Sequence, residues 1–178
     1  MNKVVLISST PPPMGGIAKW TERMLKETLP DGWHIVLVND KIVGKRVPFG
    51  DHISYDLFAE FKRWSRVWKD LYLVLKDKDI KVVHACPIAT KNSMLANIVS
   101  AFIARLSHKK VIIHFRCTVP NLVKTKMQHL LLKVLCSLSN QIIVLNSKTL
   151  RFIQDNTKTS VVLIPNFVDA DEVNKAKL

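Results

Sequence analysis

Short runs of β-branched and aliphatic residues recur along the chain, and stretches of helical periodicity separate them. The runs read as strands at Lys3 to Ser9, His34 to Asn39, Ile80 to Cys86, Lys110 to Arg116, Gln141 to Asn146 and Val161 to Pro165, with a weaker one at His52 to Tyr55. Several are apolar at consecutive positions instead of alternating, which is the pattern of strands covered on both faces. Helical spacing fits Ile17 to Leu29, Leu57 to Lys76, Lys91 to Leu106, Asn121 to Leu138 and Ser147 to Gln154. Strands alternating with helices in this way predict an α/β fold: a doubly wound, mostly parallel sheet of about six or seven strands with helices on both faces. Leu29-Pro30-Asp31-Gly32 stops the first helix by proline and glycine together. Asp40 to Asp51, with Gly44, Pro48 and Gly50, is the one long loop.

Composition narrows the class. At 178 residues and 48% apolar, the chain can bury one sizeable core. Its longest uncharged apolar run, Asn92 to Ala104, is too short for a bilayer span, and Val4 to Ile7 is too short for a signal-peptide core, so a cytoplasmic location is expected. Cys86, Cys117 and Cys136 are odd in number and far apart, which predicts reduced, buried thiols with no disulfide framework and no zinc site. The net charge of +13 is uneven. Between Ile80 and Gln154 there is no Asp or Glu, whereas Lys81, Lys91, Arg105, Arg116, Lys126, Lys133 and other cations lie there. Such a segment carries a positive field suited to phosphates, anionic lipid or nucleic acid. It also cannot supply a catalytic carboxylate, so any acid or base must come from the flanks, a histidine or another domain.

In a doubly wound sheet, ligands sit beyond the carboxyl ends of the strands. The segment Ser8 to Ala18 follows the first strand and opens the first helix, with three prolines stiffening the approach and Gly15 and Gly16 allowing close backbone approach or φ > 0. It lacks the third glycine of a dinucleotide fingerprint and the Gly-Lys-Ser/Thr of a P-loop, so by itself it fits a plain turn as well as a phosphate cradle. The other polar strand ends are His84-Ala85-Cys86-Pro87, His114-Phe115-Arg116, Asn146-Ser147 and Pro165 to Asp169. His114 and Arg116 alternate along a strand and share a face, which sets an imidazole beside a guanidinium. A separate stripe, Leu57, Phe61, Trp64, Trp68, Leu71 and Leu75, is flanked by Lys62, Arg63, Arg66 and Lys69. It fits an interfacial helix meeting anionic headgroups, or a helix packed on the sheet. Asn121 to Leu138, with Lys124, Lys126 and Lys133, is a second stretch of that kind.

Taken in order, the Gly-Gly-Ile loop, Val-Val-His at His84, Ile-Ile-His at His114, Ile-Ile-Val-Leu-Asn-Ser and Val-Val-Leu-Ile-Pro-Asn-Phe-Val-Asp resemble the N-terminal, Rossmann-like domain of retaining GT-B glycosyltransferases of family 4. The resemblance implies that Gly15 and Gly16 approach the donor diphosphate and sugar, and that His114 is a catalytic-site residue beside the transferred sugar. From their own places at strand ends, independently of the resemblance, His84, Arg116 and Asn146 are expected to bind acceptor or anion. The resemblance implies no metal and no cofactor: the substrates would be a nucleotide-diphosphate sugar and a saccharide or lipid-linked acceptor. Residues 1–168 would form the acceptor-side domain and 169–178 the start of an interdomain linker or a polar tail. The donor-binding C-terminal domain, with its Glu-x7-Glu motif, would belong to a further domain or a partner subunit. Cys86, where many members carry histidine or an acid, and Phe167, where many carry glycine, depart from the pattern.

The expected activity is sugar transfer in cell-surface polysaccharide assembly at the inner face of the membrane, with the isolated chain nearly inactive. The membrane contact is expected at Lys62, Arg63, Trp64 and Arg66. A non-catalytic membrane-recruiting or adaptor subunit is the alternative. No nucleic-acid partner is expected, since no binding motif accompanies the charge. Asp77-Lys78-Asp79 precedes its strand and Asp169-Ala170-Asp171 follows a Pro-Asn turn, so neither reads as a metal-binding Asp-x-Asp.

Overall fold

The structure, a computed structural model, describes residues 2–12, 15–41 and 57–166. The six strands β1 (Lys3–Ser8), β2 (His34–Asn39), β3 (Ile80–Ala85), β4 (Lys110–Phe115), β5 (Gln141–Val144) and β6 (Val161–Leu163) form one sheet in the order β2-β1-β3-β4-β5-β6. Every pairing is parallel. The helices are α1 (Gly16–Lys26), α2 (Leu57–Val74), α3 (Lys91–Leu106), α4 (Val119–Leu122), α5 (Lys126–Ser137) and α6 (Ser147–Asn156).

The strand order explains which helix covers which face. From β1 the chain steps to one side, through α1, to β2; every later crossover steps the other way. Right-handed crossovers therefore place α1 on one face and α2, α3, α5 and α6 on the opposite one. The packing agrees: Trp20 of α1 clusters with Leu6 and Cys86, while Trp64, Leu71, Met94, Leu132 and Ile153 from the other helices pack with Val5, Ile7, Val83, Ile113 and Ile142. This second cluster is the main core. Fully burying each such aliphatic or aromatic side chain contributes about 1.5–3 kcal/mol.

The expected strands at 3–9, 34–39, 80–86, 110–116, 141–146 and 161–165 are all present, β2 with the expected bounds and the other five shortened by one or two residues at their carboxyl ends. The weaker strand at His52 to Tyr55, most of the long loop after Lys41 and the segment from Phe167 onward lie outside the described residues. The helix expected over Asn121 to Leu138 is instead two helices. The backbone turns extended at Val123 (φ −90°, ψ 99°), and Thr125 then starts α5 through a reciprocal capping box with Gln128. Asp77 sits in the turn before β3, where it accepts from Lys3 Nζ at 2.7 Å and from the Asp79 amide at 2.8 Å.

Candidate functional site

The direction of winding reverses between β1 and β3, and that switch point is where an open α/β sheet forms a crevice at the strands' carboxyl ends. A cavity of about 390 Å³ lies there. Ser9, Thr10, Gly15 and Gly16 line it after β1, Asp40 and Lys41 after β2, and Cys86 and Ile88 after β3. Glu60, Arg63 and Trp64 of α2 close one wall, and Thr90, Asn92 and Ser93 at the start of α3 another.

Two helix N-termini therefore meet at one cavity. Gly15 caps α1 and Thr90 caps α3, neither start has a side-chain cap hydrogen bond, and neither first turn carries an acid. First-turn amides have no partner within their own helix and carry the positive end of the dipole, so each start favours an anion. Ser8 holds α1 in place through a 2.6 Å hydrogen bond to Thr21, whose hydroxyl donates to Ile17 O at 2.9 Å. Gly15 has φ −159°, an extended value open to any residue, so the expected left-handed backbone is not what the pair provides. It provides room: a Cβ on Gly15 or Gly16 would meet nothing within 4 Å.

The cavity also contains a polar network that the strand-end reading missed. Ser9 Oγ donates to Asp40 Oδ1 at 2.6 Å, Arg63 donates to Asp40 O at 2.9 Å, and Arg63 pairs with Glu60 at 2.6 Å. Burial pushes the Asp40 carboxyl above its usual value, against the opposing pull of Ser9 and Arg63. Asp40 directly follows β2, so the strand-end rule, extended to that strand, identifies it. Arg63 and Trp64 were expected at a membrane, but the structure turns both inward. Trp64 is 5% exposed, and Arg63 lies over its ring at 4.8 Å. Arg66 donates to Lys41 O at 3.2 Å, and of the four only Lys62 is exposed.

Beneath α1 lies a second group. His84, His114 and Arg116 come together as their shared sheet face requires, and Trp20 is what they meet. His84 Nε2 and His114 Nδ1 are 3.3 Å apart, the His114 ring stands edge-on to Trp20 at 5.4 Å, and the Arg116 guanidinium covers Trp20 at 4.4 Å. His114 Nε2 and Arg116 Nε are buried without hydrogen-bond partners. Burial, with Arg116 adding to it, lowers His84 to about 4; burial, then His84, then Arg116, lower His114 to about 3. Both imidazoles are thus neutral near pH 7 and can exchange hydrogen bonds with a hydroxyl. Cys86 connects this group to the cavity it also lines.

The donor atoms of His84, Cys86 and His114 lie within 4.8 Å of one another, a spacing three ligands of one metal ion can adopt. Without a metal, burial raises the Cys86 thiol to about 12 against the opposing pull of Ser8 and Arg116, so all three side chains are neutral and can exchange hydrogen bonds. Asn146, expected to bind acceptor or anion, is the N-cap of α6: its Oδ1 accepts from Thr149 N at 2.9 Å and its Nδ2 donates to Thr118 Oγ1 at 3.3 Å. Both ends of its amide are engaged in holding the helix.

No described helix is long and apolar enough to cross a membrane. No family model matches the chain, and no curated protein matches its sequence. Among solved structures, the chain is similar to Anabaena Alr3699/HepE in complex with UDP, with a TM-score of 0.48 and 14% identity over 99% of this chain and 49% of that one. The chain thus spans about half the length of that solved chain.

Proposed function

We propose that this chain is the acceptor-side half of a retaining GT-B glycosyltransferase of family-4 type, and that the crevice between β1 and β3 receives the diphosphate and sugar of a nucleotide-sugar donor. The observation that carries the reading is the convergence of two N-termini without side-chain caps, those of α1 and α3, on one cavity floored by glycines with open space around them. The order of strand-end motifs supports the same reading.

In this reading the leaving diphosphate lies against the amides of α1 and α3, which stabilise its growing charge without reorganising. Arg63 adds a cation held in place by Glu60. His114, kept neutral by burial first and then by His84 and Arg116, lies behind Cys86 at the cavity wall and is the group assigned to a hydroxyl of the transferred sugar, with His84 beside its ring. Asp40, its carboxyl raised by burial and oriented by Ser9, holds a hydroxyl of the incoming acceptor at the cavity wall. The remaining nucleotide contacts, including those of a Glu-x7-Glu motif, come from a second domain or a partner chain. No cofactor and no metal enter the chemistry.

Turnover tests the half-site claim. The chain alone should hydrolyse or transfer a nucleotide sugar at no more than background rate, and addition of the complementary half should restore transfer with retention at the anomeric carbon. Full turnover by the chain alone, or an inverted product, would overturn the proposal.

A further inference from the structure

Helices α2, α3 and α5 lie side by side on the sheet face opposite α1, with α3 in contact with both neighbours. Each needs one apolar stripe to cover the sheet, and α3 and α5 have it: Met94, Ala101 and Ala104 of the one and Leu132, Leu135 and Cys136 of the other are buried. Both helices carry a second apolar stripe that points away from the sheet. On α3 it consists of Leu95, Phe102 and Leu106, exposed by 52%, 53% and 65%. On α5 it consists of Met127, Leu130 and Val134, also exposed. Six large apolar side chains are thus exposed on two adjoining helices, and exposed apolar surface gathered in this way marks interaction surfaces.

The charge around the patch identifies its partner. Lys91 and Arg105 on α3 and Lys126 and Lys133 on α5 are exposed on or beside the same stripes. No acidic residue occurs anywhere from Ile80 to Gln154 to offset them. A second copy of this chain would press one positive face against another, which opposes self-pairing. Nucleic acid could use the cations and stack a base on Phe102, but the five aliphatic side chains would remain unmatched. An anionic bilayer matches both features, since aliphatic and aromatic side chains enter the acyl boundary while long cationic ones reach the headgroups.

We propose that the outer face of α3 and α5 seats this chain on an anionic lipid bilayer. The contact leaves α2, where it was expected at Lys62, Arg63, Trp64 and Arg66 and where Trp64 packs inward; it keeps α5, which lies within the second expected stretch, Asn121 to Leu138, and adds α3. It does not depend on sugar transfer. If the transfer reading also holds, α3 runs from the crevice, which Asn92 and Ser93 line, along the membrane contact, and so brings lipid-linked acceptors to that crevice.

Vesicle flotation tests it, with phosphatidylcholine alone against phosphatidylcholine mixed with phosphatidylglycerol. The chain should float with the anionic vesicles, release in salt and ignore the neutral ones. Phe102→Ser combined with Leu130→Ser should retain the native melt, since both positions are exposed, and lose binding more than about tenfold. Each of Lys91→Gln, Lys126→Gln and Lys133→Gln should weaken binding about fivefold. Failure to float, binding unchanged by these variants, or a dimer in solution that the same variants dissolve would each overturn the proposal. A pyrophosphate titration of the crevice reads independently of all of these, so the two readings can fail separately.

Discussion

A side chain added at Gly15 or Gly16 would occupy open space, so these glycines do nothing for the fold that alanine could not do. Gly16→Ala, at the first position of α1, should leave stability unchanged or raise it by about 0.4–1 kcal/mol in a thermal melt. The same change should weaken binding of a nucleoside diphosphate about tenfold, because the methyl group enters the ligand's space. Equal binding by the variant would mean that the ligand lies elsewhere. Burial holds the His84–His114 pair neutral, and folded values near 4 and 3 lie below the ordinary 6.5. Their contribution to stability is therefore complete above pH 6.5 and is lost as pH falls through 4 and 3. Imidazole resonances followed by NMR should show both rings uncharged at pH 6; titration of either near 6.5 would contradict the packing under Trp20. Asp40 has the opposite sign. Its raised value means that its ionised form at neutral pH opposes folding, an effect that disappears as pH falls below the ordinary carboxylate value of 3.8. Asp40→Asn should accordingly melt no lower than the parent at pH 7 and lose that advantage below pH 3.8. His114 and Arg116 could be paired from strand alternation alone. Trp20 could not, because its approach depends on how α1 crosses the sheet.

At the scale of elements, the strands and most helices were legible because a sheet covered on both faces makes its strands continuously apolar, and that signal survives without tertiary information. The break before α5 was legible too, in Thr125-Lys126-Met127-Gln128, but the apolar periodicity running through Val123 concealed it. Helix α2 shows the limit of periodicity. Its stripe is that of a membrane-surface helix and equally of a helix packed on a sheet, and only the position of the sheet decides that Trp64 faces inward. Asn146 is a comparable case, since a polar residue at a strand's carboxyl end serves either a ligand or the next helix. Asn146→Ala should cost about 1 kcal/mol in stability through loss of the α6 cap while leaving ligand affinity unchanged. A loss of affinity without a loss of stability would return the residue to the binding site.

At the scale of the whole molecule, the strand order β2-β1-β3-β4-β5-β6 places both of the proposed surfaces. Reversal at β1 opens the crevice, and the uniform winding after it gathers α2, α3, α5 and α6 into one layer whose outer side can meet a membrane. The absence of acids from Ile80 to Gln154 affects both surfaces: it leaves the first turn of α3 without an acid of its own, so that the carboxylates of the cavity, Asp40 and Glu60, come from other elements, and it leaves the α3–α5 face without counter-charge from its own helices. The sequence showed that charge asymmetry directly, but where it would act depended on the packing. The central claim is that the crevice takes a diphosphate. Amide NMR during titration with pyrophosphate, and then with UDP, tests it most directly. The account predicts shifts concentrated at Gly15, Gly16, Asn92 and Ser93, with a dissociation constant of about 1 mM or tighter. Silence at these four amides, or shifts confined to the lysines of α3 and α5, would contradict it.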